Sequence, residues 1–552
     1  MMKLRMGFFL ILFLIAGAVA GALPMGSRLL VFNGKIITMS EKLPEAEAMV
    51  IEGERIIYLG DRKPAEKICG PECWMLDLNG LTVIPGFIDN HTHTLEGGLF
   101  SLQPNLFGKS CEEIVKIIKE EVKKTKPGDY VFGHSWDYEF CPNPDKKMLD
   151  QVSPNHPVLL TQYSGHGMWA NSYLLNQLEI TRDTPNPSGG EIERDEKREP
   201  TGILKDRATE PVYAAALTGI SGEKRRQAIL KALELYRGAG ITSVQDNTYD
   251  PRVVWLLAGL KNEGNLTCRF TCWAMAEYWY GSAMMKAARY DPSWIKLGPV
   301  KIFSDGAFST KTAWMSVAYA GEPGNYGIPR HSKKELDLIV MEIANNQRQV
   351  AIHAIGDQAV HSALDAIEQA EAKYPSFKPL RNRLEHIQMT LPGDLDRFRK
   401  LNVLACVQPF ALSNPKKDLR ILGELRAKEA YPYKSLLEAG AALSFGSDFP
   451  AEVDFQPLLG IYYAVTRKSK NGMDGPLNAE EALTVEEALR AYTIGSAYAE
   501  LAEKDKGTLE PGKLADFVVL SENPLKVKPA QIKEIKVIYT FVGGKQVWPE
   551  RR

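Results

Sequence analysis

Two of the nine histidines of this chain stand together as His91-Thr92-His93. They close the run Ile84-Pro85-Gly86-Phe87-Ile88-Asp89-Asn90. Alternate residues of a strand project to the same side. Imidazoles at i and i+2 therefore converge on one point, as the ligands of a divalent metal must. Groups of the same kind mark later strand-like runs. Lys301 lies in Val300-Lys301-Ile302-Phe303, His353 follows Val350-Ala351-Ile352, His386 follows Leu384-Glu385, and Asp448 follows Phe445-Gly446-Ser447. Taken singly, a strand-end histidine reads as a hydrogen-bonded structural residue and an aspartate as a helix cap. Their concentration at strand ends is what a metal site explains. An isolated buried lysine is costly while charged, so Lys301 needs a partner or a reaction that removes its charge.

A second group of candidates faces substrate. His166, between Gly165 and Gly167, sits in a loop that permits close approach to a ligand. Trp136 and Trp169 are candidates to line an apolar pocket. Asp305 follows the Lys301 run and is a candidate to orient the lysine or touch substrate. Each has an equal structural alternative: a turn residue or a core aromatic. His134, His156, His331 and His361 fall in structural or surface contexts.

The elements that must position these groups follow from periodicity. Apolar, strand-like runs cover 82–89, 241–246, 268–275, 300–303, 350–353, 383–387, 403–408 and 442–446. Helical patterns lie between them, at 223–238, 332–345 and 357–372, and Thr484-x-x-Glu487 is a capping box opening a late helix to about residue 501. Buried strands alternating with helices predict an α/β fold, a (β/α)8 TIM-like barrel, whose active sites lie at the strand ends. The gap of about 150 residues after the first strand is too long for one loop. It carries strand signals at 130–134 and 158–163, and predicts an inserted subdomain over 95–222 that shapes access. Short alternating runs at 29–38, 48–59, 74–78, 516–520 and 535–547 predict antiparallel strands. Neither set has core enough alone, so 28–84 and 506–550 are expected to form one small β-sandwich around a barrel domain of 85–505.

The totals fit. Apolar residues make up 44% and charged residues 24%, with a net charge of −1; this is globular composition without the basic face of a nucleic-acid binder. Lys3 and Arg5 precede an apolar run at 6–23, within which Ala18-Val19-Ala20 fits the small-x-small pattern of signal cleavage. Residues 1–20 read as a signal peptide of an exported, periplasmic or secreted protein, with an uncleaved membrane anchor as the alternative. No later segment is apolar enough to span, so no stable membrane span is expected after cleavage. The seven cysteines read as core or near-surface thiols, with a Cys69–Cys73 disulfide open to an exported chain. Homo-oligomerisation is left open.

From about residue 29 to 547 the chain resembles the amidohydrolase superfamily. The resemblance rests on Pro85-Gly86-Phe87-Ile88-Asp89-x-His91-x-His93, Lys301, His353, His386, Ser447-Asp448 and the tail Gly507-Thr508-Leu509-Glu510-Pro511-Gly512-Lys513-Leu514-Ala515-Asp516-Phe517. Ser304-Asp305-Gly306, the insertion and 164–171 are similar to the branch containing N-substituted formamide deformylases. The resemblance implies two divalent ions, commonly zinc. His91 and His93 would hold one and His353 and His386 the other, bridged by a CO2-derived carbamate on Lys301. Asp448 would bind the first ion and act as general base, with His386 assisting the developing oxyanion. The implied activity is hydrolysis of a non-peptide C–N bond in a small-molecule amide, N-substituted formamide or cyclic amide. The alternatives are a mononuclear deaminase on the same fold and an exported metal-binding protein without catalysis. A peptidase lacks support: there is no HExxH and no Ser/His/Asp arrangement.

Overall fold

The computed structural model describes residues 27–163, 165, 167–187, 190–248, 250–276 and 290–549. The proposed signal at 1–20 and His166 lie outside the described residues.

Eight parallel strands form the central sheet in the order of the chain: Phe87–Thr92, Ile241–Asp246, Arg269–Met275, Ile295–Phe303, Val350–Ala354, Arg383–His386, Leu404–Val407 and Leu443–Phe445. The last strand returns to the first. Asn90 Nδ2 donates to Ser444 Oγ at 2.5 Å and Ser447 N to Asp89 Oδ1 at 2.9 Å. Gly446 permits this approach, because a Cβ there would lie 2.4 Å from Asn90 Oδ1. Helices including Gly222–Gly238, Val253–Asn262, Lys333–Asn345 and Asp357–Lys373 cover the outside. Val300 and Ile302 pack into that outer apolar core, while Lys301 between them turns inward. This is a (β/α)8 barrel. Thr484 does cap its helix, but the segment is broken into Val485–Arg490, a wider turn at Ala491–Gly495, and Ser496–Ala499.

The predicted first strand divides in two. Thr82–Pro85 pairs with Phe517–Leu520 in a different sheet, and the barrel strand begins at Phe87. The break falls at Gly86, whose absent Cβ would meet Thr242 Oγ1 at 2.1 Å. The chain passes between two sheets where only glycine fits. That second sheet joins both chain ends in eight strands, and it is mixed, not wholly antiparallel: Trp74–Asp77 and Thr82–Pro85 lie parallel to Arg28–Ile37. Alternation explains its two faces. Phe517 and Val519 enter a core shared with Leu29, Val31 and Ile51, while Val518 and Leu520 pack on the barrel.

Between the first two barrel strands, five strands form a separate sheet in the order Gly190–Arg194, Pro200–Asp206, Gly167–Ala170, Val158–Gln162, Val131–Trp136. Its core contains Trp136 and Trp169, both fully buried, with ring centroids 6.0 Å apart. Trp136 Nε1 donates to Leu160 O. These tryptophans therefore belong to the insertion's own apolar core, which corrects the expectation that they line a substrate pocket. Cys111 and Cys141 form a disulfide across this subdomain and Cys69 and Cys73 form another, while Cys268, Cys272 and Cys406 are buried thiols. No helix among the described residues is long and apolar enough to cross a membrane.

Candidate metal centre

The barrel's C-terminal end gathers the six candidate ligands. His91 closes on the interior from the first strand. Its Nε2 lies 3.3 Å from Lys301 Nζ and 3.4 Å from Asp448 Oδ1. His93 Nε2 lies 3.1 Å from the same Asp448 oxygen. The His386 ring is centred 5.2 Å from that of His91 and 4.4 Å from that of His353. One ligand atom each from His91, His386 and Asp448 falls within 4.8 Å of the others. His353 is anchored from its other side, where Nε2 donates to Gly306 O at 3.0 Å. This leaves Nδ1 as the nitrogen with a lone pair.

Two of these residues depart from regular backbone. Successive strand side chains point to opposite faces. Glu385 and His386 nevertheless both reach the His91 cluster, because the backbone turns left-handed at His386 (φ 77°) and Ile387 (φ 42°). Asp448 also has a positive φ, 58°. Non-glycine residues rarely adopt this region, and such strain concentrates at functional sites.

Burial sets the charges. It pushes the His91 imidazolium well below its usual range, helped by the charge of Lys301. His386 is lowered by burial and then by His353 and His91. His353 falls to about 3 through burial and Lys301. All three offer a neutral ring. Burial opposes protonation of His93 too, but the hydrogen bond and charge of Asp448 outweigh it and its pKa rises. Burial also works against the Asp448 carboxylate, yet His91, His93 and Lys301 together hold it below the usual range. Neutral imidazoles beside an anionic carboxylate are a donor set that fits divalent metal.

Two charged residues escaped sequence reasoning. Glu385 Oε2 lies 2.6 Å from His91 Nδ1, and both side chains are fully buried. Arg383 holds Glu385 through Nε to Oε1 at 2.5 Å and Nη2 to Oε2 at 3.2 Å. It also donates to Gln245 Oε1 and to Asn90 O, and lies over the Trp273 ring. The available signal was two charges spaced i and i+2 on a short strand ending in a candidate ligand. Asp305 proves to be a loop anchor. Its oxygens accept backbone N–H groups of Trp314, Ile355 and Gly356 at 2.9, 3.1 and 2.9 Å. This corrects the reading of Asp305 as a substrate contact: it ties together the loops after the fourth and fifth strands.

A barrel with inward imidazoles and an aspartate at its C-terminal end defines the class of metal-dependent barrel hydrolases. The profile of the amidohydrolase family matches residues 75–548, and the chain belongs to that family. It is a hydrolase acting on carbon–nitrogen bonds other than peptide bonds. It is 35% identical to Protein LONG AFTER FAR-RED 3 of Arabidopsis thaliana, over 94% of this chain and 91% of that protein. It is 27% identical to the N-substituted formamide deformylase of Arthrobacter pascens, over 94% of this chain and 97% of the other. Among solved structures it resembles an uncharacterized metal-dependent hydrolase from Pyrococcus horikoshii. The TM-score is 0.79 and the identity 30%, covering 91% of this chain and 99% of that one.

Proposed function

We propose that this protein hydrolyses a small-molecule amide, N-substituted formamide or cyclic amide, with Asp448 as general base. The observation that carries this reading is the placement of one Asp448 oxygen between His91 Nε2 and His93 Nε2, at 3.4 and 3.1 Å. His91, His93, Lys301, His353, His386 and Asp448 would hold two divalent ions, zinc by ligand type, with Lys301 as a carbamate. Such ions supply Lewis acidity and lower the pKa of bound water. The chain's own groups do the rest. Asp448, anionic and buried, takes a proton from the attacking water and returns it to the leaving nitrogen. His386, beside it, would assist the developing oxyanion. Conversion of Lys301 to a carbamate is supported by its burial, since it replaces a costly cation with an anionic ligand.

A one-ion deaminase is the second reading, favoured by the compact trio of His91, His386 and Asp448. Elemental mass spectrometry of protein purified without added metal or chelator separates the two. Two ions per chain, with formate or carboxylate released from amides, support the first. One ion with ammonia released from a ring amine supports the second. No ion, and none regained with zinc and bicarbonate, removes both.

We also propose export. The apolar N-terminal run supports it, as does the Cys111–Cys141 disulfide, whose Cα atoms are 4.8 Å apart. Disulfides persist in oxidising compartments.

A further inference from the structure

We infer that Glu385 is a positioning residue that fixes the tautomer and aim of His91 for the metal; this rests on the metal-dependent reading above. His91 has two ring nitrogens and its fully buried surroundings treat them differently. Nδ1 faces Glu385 Oε2 at 2.6 Å, while Nε2 faces Lys301 and Asp448. A carboxylate paired with arginine is an acceptor only. The single proton of a neutral His91 therefore sits on Nδ1, and the Nε2 lone pair is turned to the centre. The opposite tautomer would set two lone-pair atoms against each other at Nδ1 and place a proton where the metal belongs.

Glu385 can do this only if it is itself immobile, and residues of four strands hold it so. Arg383 grips both of its oxygens from the same strand. Arg383 is in turn fixed by Gln245 on the second strand and the Asn90 carbonyl on the first. The Trp273 ring, on the third strand, lies under the guanidinium at 4.6 Å and also meets His91 edge-on, with centroids 5.1 Å apart. A layer of residues from four strands thus carries its geometry to one nitrogen. Hydrogen-bonded carboxylates of this kind raise the basicity of a ligating imidazole, and their loss typically costs 10–100-fold in metal affinity.

The test measures zinc affinity of metal-free protein by competition with a chromophoric chelator. Wild type is compared with Glu385→Gln, which keeps an acceptor but loses the charge, and Glu385→Ala, which loses both. The expected result is a Kd raised roughly 10–100-fold in Glu385→Ala and less in Glu385→Gln. Melting of the metal-free forms confirms folding. Folded variants that bind zinc as wild type does overturn the inference and leave the hydrolase reading intact. Wild type that binds no zinc overturns the metal-dependent reading first. Should neither variant fold, nitrogen NMR of the wild-type His91 ring decides: a proton on Nδ1 supports the inference, and a proton on Nε2 overturns it.

Discussion

The backbone N–H of Asp448 donates to the carbonyl of His91 at 2.7 Å, so the last barrel strand's ligand is tied to the first strand's ligand. The same two residues approach through their side chains at 3.4 Å. The seam of the barrel and its chemistry coincide, and the aspartate's position depends on the main chain as much as on the metal.

Replacing Asp448 by Asn keeps that backbone bond and the side chain's size but removes the base. The turnover number is expected to fall roughly a hundred- to ten-thousand-fold. Metal content by elemental mass spectrometry should fall far less. A variant that retains full turnover would take the proton-transfer role away from this residue.

Lys301 makes a second case. If it becomes a carbamate, metal loading of wild-type protein should rise when bicarbonate is added with zinc. Lys301→Ala should bind less metal and show no bicarbonate response. An equal response in both proteins would remove the carbamate.

The pH dependence at His353 has a definite sign. Its native pKa is lowered from 6.5 to about 3. As pH falls through 6.5 the unfolded chain takes up a proton that the native chain refuses, so stability is lost from 6.5 down to about 3. The loss is at most about 1.4 kcal/mol per pH unit. Buried carboxylates raised to about 7, such as Asp89 and Asp305, act in the opposite direction. The quantity to measure is therefore a difference: denaturant stability of metal-free wild type minus that of His353→Asn, at pH 7 and pH 5. The difference should shrink at the lower pH.

Trp136→Ala tests the insertion. A fully buried core tryptophan should cost ~3–5 kcal/mol in the cooperative unit that contains it. Turnover per folded molecule near wild type, with a lowered unfolding midpoint, is the expected pair of results. A large change in KM at unchanged stability would return Trp136 to the substrate pocket.

Much of the architecture was legible because fully buried parallel strands are rich in apolar residues, and 350–353 and 403–408 stand out as such. His91, Lys301 and Asp448 stood out because polar groups in or just after such strands break that pattern. Glu385 was hidden by the same rule. Its neighbour His386 looked like the strand's terminus, and only a left-handed turn lets both face one cluster. The split at Gly86 was invisible because residues 83–88 carry no polar side chain to mark it. What divides them is Thr242, a residue far along the chain. Trp136 and Trp169 were ambiguous for a simpler reason: a large aromatic satisfies a pocket wall and a core equally well.

The sheet that joins the two chain ends sets a schedule for biosynthesis. Thr82–Pro85 finds its antiparallel partner in Phe517–Leu520. At roughly 5–20 residues per second the early strand waits about 20–90 s for the late one to be made. Until then its edge is bare and open to wrong pairing. The strand order therefore makes the last-made residues the ones that close the first-made edge.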